Sequence, residues 1–484
     1  MRTFSIYRAF VAAFCLSASF LFGGCAEAPV NFPSTVTGPI YPDYADVTIP
    51  CNIAPLNFSY VGLEGPVSTV FTCGDKSVTV EGNPVKWNLH KWRKFIAAAA
   101  GGDITVSCSA GLPDWTIHVS ADSIDYGLAY RLIEPGYEVY SKMGIYQREL
   151  SSFRQEAIIE NTDIVGCVNC HSFNRGEPSR MGFHVRGMHG ATVLSLDGCD
   201  VAYDTKTDST LGFCVYPYWH PEGKYIAYST NNTRQSFHVQ QDKLIEVFDL
   251  ASDLQVYDYE ANELITVPSV KTPEYWETFP AFSADGRTLY FCRALARAIP
   301  EDTKLIRYNL CRVSFDPSTG TIGDDVEVVI DAESLGKSVS FPKPSYDGRF
   351  IVYTLSDYGQ FSIWHHEADL WILDLQSGET RPLDAVNSSD TESYHGWSAN
   401  SRWLVLSSRR DDGLFTRPYF TYIDADGNAT KPFMLPQEDP ARFYSTLFQS
   451  YNVPEFITGR VRFDKVNARR IITSPERTKF GYRQ

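Results

Sequence analysis

The chain has 484 residues and a formal net charge of −15, which sets nucleic acid aside as a partner, because covering phosphates needs a surplus of Lys and Arg. Hydrophobic residues make up 43% and charged residues 21%, a globular balance with length for two or three cores. The 28 tyrosines, 30 phenylalanines and 9 tryptophans favour strands over helices, and beyond residue 24 no run is apolar enough to cross a bilayer.

Arg2 and Arg8 give a positive start, and Ala9 to Phe22 is an apolar stretch of signal-peptide length. It closes on Leu21-Phe22-Gly23-Gly24-Cys25. Small residues before a cysteine resemble a bacterial lipobox, although Phe22 departs from the usual aliphatic residue. Residues 1–24 therefore read as a lipoprotein signal peptide, with lipidation at Cys25, and 25–50 as a tether; a plain signal peptide is the alternative. This expectation puts the chain in the bacterial cell envelope, anchored to the outer membrane by lipid. An oxidising compartment permits disulfides. Cys292 with Cys311, on neighbouring strands, and Cys199 with Cys214, around a hairpin, are the candidate pairs, and the odd count leaves at least one thiol free.

Residues 51–150 read as a small β-rich, sandwich-like domain. Asn57 to Tyr60, Ser77 to Val80, Ile104 to Ser107 and Trp115 to Val119 alternate with period two. Trp92 to Ala100 suits a short helix stopped by Gly101-Gly102. From Ile124 to Phe153 the apolar spacing is irregular, and Ser151 to Ile159 suits a helix.

Residues 151–190 carry Cys167-Val168-Asn169-Cys170-His171. Two cysteines three apart can each add to a haem vinyl group, and the adjacent histidine then ligates the iron, so the pattern reads as attachment of one covalent c-type haem. Export agrees, since such attachment occurs outside the cytoplasm. A Cys167–Cys170 disulfide or redox pair and a zinc site are the alternatives, although no βαβ context or second cysteine pair supports them. For the sixth ligand, Met181, His184, Met188 and His189 follow closely, with Met181 or His184 favoured.

Repeats dominate residues 191–436. Four segments, beginning at Tyr216, Phe279, Phe341 and Tyr394, align without gaps. Each is an aromatic-led strand, a tight turn at Glu222-Gly223, Asp285-Gly286 or Asp347-Gly348 (degenerate at Asn400-Ser401), and a second apolar strand. Asp253 to Glu263 matches Asp369 to Glu379 as a third strand, and Ala191 to Thr205 suggests another unit. These segments resemble the WD-like repeats of TolB-type propellers. The resemblance implies a mainly β chain, with a β-propeller of about five to six blades after the small sandwich-like domain.

Residues 437–484 form a C-terminal extension whose end is basic, suited to a solvated tail or a strap. No Gly-x-Ser-x-Gly elbow, phosphate loop or His-Glu-x-x-His occurs. Asp424 to Asn428 resembles a calcium loop only weakly, and His365-His366-Glu367 point to alternate faces on a strand. The sequence favours an electron-transfer or haem-sensing lipoprotein, more binding protein than enzyme, meeting a redox or envelope protein partner. The alternative is a TolB-like scaffold or ligand-binding lipoprotein without cofactor.

Overall fold

Between residues 127 and 434 nearly every strand pairs antiparallel with a neighbour in the chain, giving successive sheets. The computed structural model describes residues 32–483 apart from 137–140, 165 and 240–242; the signal segment and Cys25 lie outside the described residues. Blade 1 has Gly127–Ile133, Gly144–Glu149 and Gln155–Glu160, with Ser450–Ile457 as its inner strand. Blade 2 runs Cys167–Phe173, Arg180–Arg186, Ala191–Leu196 and Cys199–Asp204. The inner strands of blades 3 to 6 are Cys214–Trp219, Tyr275–Phe282, Ser338–Pro344 and Glu392–Trp397. Each inner strand packs on the next around the ring, and Ser450–Ile457 lies against Glu392–Trp397, so the sixth sheet closes on the first. The chain is a six-bladed β-propeller.

The sheets draw boundaries where the sequence showed none. The propeller spans residues 127–457: Gln155–Glu160 is a strand, not a helix, and the 151–190 segment supplies half of blade 2. The cause is burial on both faces. Gly127–Ile133 is buried at every position, which erases the two-residue alternation by which a strand is read. Ala191 to Thr205 forms the outer hairpin of the same blade.

The turn glycines adopt the left-handed conformation a tight hairpin needs, with φ of 76° at Gly223, 71° at Gly286 and 74° at Gly348. In the degenerate copy Ser401 takes that role at φ 57°, and its hydroxyl accepts from Asp347 N at 3.1 Å in the preceding blade.

Before the propeller, Val47–Pro50, Trp115–Ser120, Gly102–Cys108, Ser68–Cys73 and Lys76–Glu81 form one five-stranded sheet. The helix Leu89–Ala98 packs on it through Trp92, Phe95 and Ile96, capped by Asn88, whose side chain accepts from His90 N and Lys91 N. This small domain shares a core with blades 5, 6 and 1: Trp92, Phe71 and Ile117 belong to the same buried cluster as Phe350, Trp403 and Tyr130.

The described cysteines are all thiols. Cys292 pairs in register with Leu310, and Cys311 with Phe291. A one-residue offset turns side chains to opposite faces, so the two thiols enter different inter-blade cores. Cys199 is exposed at the edge of blade 2, whereas Cys214 is buried in blade 3.

The extension 437–484 does two jobs. It delivers the closing strand, and it then runs back along the outer rim. Thr478–Lys479 and Gly481–Tyr482 add parallel strands to the outer edges of blades 2 and 3. Between them Phe480 stacks on Tyr257, with centroids 3.7 Å apart.

Candidate functional site

Every inner strand carries one residue in the left-handed region: Val453, Cys170, Tyr216, Phe279, Phe341 and Tyr394, in blades 1 to 6, with φ between 45° and 52°. At each of these the register of the ladder shifts, the mark of a β-bulge that re-aims the side chains after it. The next residue is proline in four blades, Pro454, Pro217, Pro280 and Pro342. Proline suits a bulge, where the missing N–H breaks no ladder bond. In the other two blades it is His171 and His395. Cys170-His171-Ser172-Phe173 is therefore the blade 2 copy of Tyr394-His395-Gly396-Trp397, with cysteine in place of the leading aromatic.

These bulges surround an axial cavity of about 470 Å³, within the range of small-molecule sites. Tyr216, Phe279, Phe341 and Tyr394 form an aromatic collar along one side of it, with successive centroids 4.6, 4.3 and 5.0 Å apart. One end is crossed by Arg175, which donates to the carbonyl of Ala284 at 3.2 Å and stacks on Tyr346. At the other end the hairpin of Tyr225–Phe237 and Ile245–Asp258 outgrows blade 3 and adds Gln235, Phe237, Ile245 and Val247 to the wall.

Cys167, Cys170 and His171 all line this cavity. Cys167 stands opposite Arg186 in the ladder. Burial pushes its thiol up, and the positive charges of Arg131 and Arg186 oppose that shift. Arg131 is held by the side-chain oxygen of Asn169, between the two cysteines. His171 is buried, 5% exposed, and burial, helped by the Arg131 charge, pushes its pKa down to about 3. Its Nε2 makes no hydrogen bond of good geometry among the described residues, while the backbone carbonyls of Val453 and Ala129 act on the ring. His395, in the equivalent slot, uses its Nε2 on the carbonyl of Val352 at 2.9 Å.

Met181 and His184, three apart on Arg180–Arg186, face opposite ways. Met181 is packed with Val168 and Phe173 in the core between blades 1 and 2. His184 shares a hydrogen bond with Thr192 Oγ1 through Nδ1 at 3.1 Å, packs against the tilted ring of Phe213, and shares a small crevice with Cys170 and Cys214. Neither side chain lines the axial cavity.

Sequence reasoning missed Lys343 and Glu455, which line the cavity from blades 5 and 1. Each lies two places beyond its bulge residue, so repeat position was the available signal, obscured in blade 1 because Val453 leads the copy instead of an aromatic. Elsewhere, His365 and His366 pair with different carboxylates, Glu367 and Asp390, each at 3.0 Å. Asp424 accepts from the backbone of Asp426 and Asn428 as a turn does.

No protein-family model and no curated protein sequence matches the chain. Solved structures do. A putative TolB from Agrobacterium tumefaciens is 13% identical, covering 68% of this chain and 98% of its own, with a TM-score of 0.35. The tricorn protease is 12% identical over 85% of this chain and 36% of its own, with a TM-score of 0.36. Dipeptidyl peptidase 4 of Porphyromonas gingivalis is 12% identical over 63% and 44%, with a TM-score of 0.32. This chain thus spans less than half the length of those two peptidases.

The residues present suit a c-type haem on three counts. Two thiols lie on one cavity wall. A buried imidazole that burial keeps neutral lies beside them. The lining is rich in aromatic rings and also carries Arg131, Arg175 and Arg186.

Proposed function

We propose that this chain is an envelope lipoprotein whose propeller holds a c-type haem in its axial cavity and serves electron transfer or haem-based sensing. The observation that carries this reading is the opening of Cys167, Cys170 and His171 into one aromatic-walled cavity. A bound haem would supply one-electron chemistry. The chain's own groups would do the rest. Cys167 and Cys170 would fix the ring by thioethers, His171 would offer a nitrogen that stays neutral across physiological pH, and the collar would exclude water. A lipid on Cys25 would keep the protein at the membrane, within reach of a redox or envelope partner.

The test is an absorption spectrum of protein expressed with a c-type maturation system, taken before and after dithionite and after acid-acetone extraction. The expected result is a Soret band that stays with the polypeptide and is absent from a Cys167→Ala/Cys170→Ala variant. A colourless wild-type protein, alongside a normally matured control cytochrome, overturns the reading.

A second reading has its own support. His171 occupies the slot of His395, so the propeller has a structural use for a histidine there without any cofactor. On that reading the chain is a ligand-binding or scaffolding lipoprotein, and the double cysteine variant is as functional as the parent.

A further inference from the structure

In a ring of six, blade 2 faces blade 5 across the axis. Blade 2 presents Cys167 and Cys170, and the inner strand of blade 5 presents Lys343 to the same cavity. The indole N–H of Trp397 donates to the Lys343 carbonyl at 2.9 Å and fixes the backbone there. The Lys343 ammonium lies 5.1 Å from the centre of the Tyr218 ring, and among the described residues it has no hydrogen-bond or ion-pair partner. Burial pushes its pKa down, and the carboxylate that opposes this is Glu455, which forms no ion pair with it. That carboxylate already accepts from Phe173 N at 3.1 Å. Arg175, the other cation at this end, is spent on Ala284 and Tyr346.

Enclosed charges are retained where something pairs with them. An ammonium facing an aromatic cavity with no protein anion in contact is a place for a ligand's anion, strengthened by the low dielectric of the site. We propose that Lys343 receives a carboxylate of the cavity's ligand, so that the site selects a flat, apolar molecule bearing an acidic edge. This rests on the axial cavity being a ligand site, and it does not require thioether formation. A porphyrin fits that description. Its two carboxylates lie together on one edge, away from its vinyl groups.

The experiment uses the full chain carrying Cys167→Ala/Cys170→Ala, which cannot attach haem covalently. It is titrated with metal-free protoporphyrin IX and with the dimethyl ester, following tryptophan fluorescence. The diacid is expected to bind at least about tenfold more tightly than the ester, the scale of one charge-assisted hydrogen bond. Adding Lys343→Met should bring the diacid down to the affinity of the ester and leave the ester unchanged, and Lys343→Arg should keep the preference. Near-ultraviolet circular dichroism confirms that each variant keeps its packing. Equal binding of diacid and ester, an unaffected Lys343→Met, or no porphyrin binding overturns the proposal. Covalent haem in the matured wild type is read separately, so either idea can fail alone.

Discussion

At the scale of single residues, the buried histidines make stability depend on pH. His171, His184 and His395 are each pushed down to about 3, with burial as the largest cause. A free histidine takes its proton near pH 6.5. Between that value and about 3 the unfolded chain binds protons that the folded chain refuses, so stability is lost as pH falls through this window. His395→Leu removes one of these groups and its hydrogen bond to the Val352 carbonyl, at a cost of about 0.5–1.5 kcal/mol at pH 7. Urea midpoints measured from pH 7 to pH 4 should fall less steeply in this variant than in the parent; parallel curves would rule out the protonation account. Glu455 acts in the opposite sense. Burial pushes it up to about 7, so its ionisation costs stability as pH rises from the ordinary carboxyl value to 7, and the cost is complete above that. Glu455→Gln should therefore stabilise the protein more at pH 8 than at pH 4, by the same midpoint measurement.

At the scale of elements, the C-terminal segments decide whether the ring stays shut. Without Ser450–Ile457, the backbone of Gly127–Ile133 would present an open edge to the axis, and open edges recruit other chains. A chain ending at residue 447 should elute as aggregates in size-exclusion chromatography; a stable monomer would show that blade 1 stands on three strands. The rim strap is a milder device. Phe480 is almost fully buried against Tyr257, Tyr203 and Tyr228. Phe480→Ala should cost about 3 kcal/mol, read from denaturant midpoints, and should expose the tail to proteases. Two basic residues of this segment find acidic partners: Arg483 pairs with Glu263 at 2.7 Å, and Lys465 with Asp163 at 3.3 Å.

At the scale of the whole molecule, the small domain and the propeller are one cooperative body. Besides the shared core, Tyr422 donates to Asp122 at 2.7 Å, Asn400 donates to the carbonyl of Ser123 at 2.8 Å, and Ala399 N donates to Asp125 at 2.8 Å. Arg148 of blade 1 is buried, and donates to the carbonyl of Pro436 at 2.7 Å and to Gln437 at 3.1 Å. Separately folded domains would melt in two steps. Here calorimetry should give a single transition for the two together, and an early transition confined to residues 40–120 would contradict the shared core.

The sequence by itself determined the repeated hairpins, because an aromatic lead, a glycine turn and an apolar second strand are local patterns that need no partner to be read. It showed the Cys167-Val168-Asn169-Cys170-His171 string for the same reason, since five consecutive residues are read without any partner. Only the tertiary structure decided that blade 1 and the inner half of blade 2 belong to the ring, because strands buried on both faces lose their alternation and the inner strand of blade 1 comes from the far end of the chain. Only it decided that Met181 and His184 point away from the cavity, and that Lys343 stands across the axis from Cys167 and Cys170. Those facts depend on which blade faces which, a relation fixed by closure of a six-membered ring and written in no local stretch of residues.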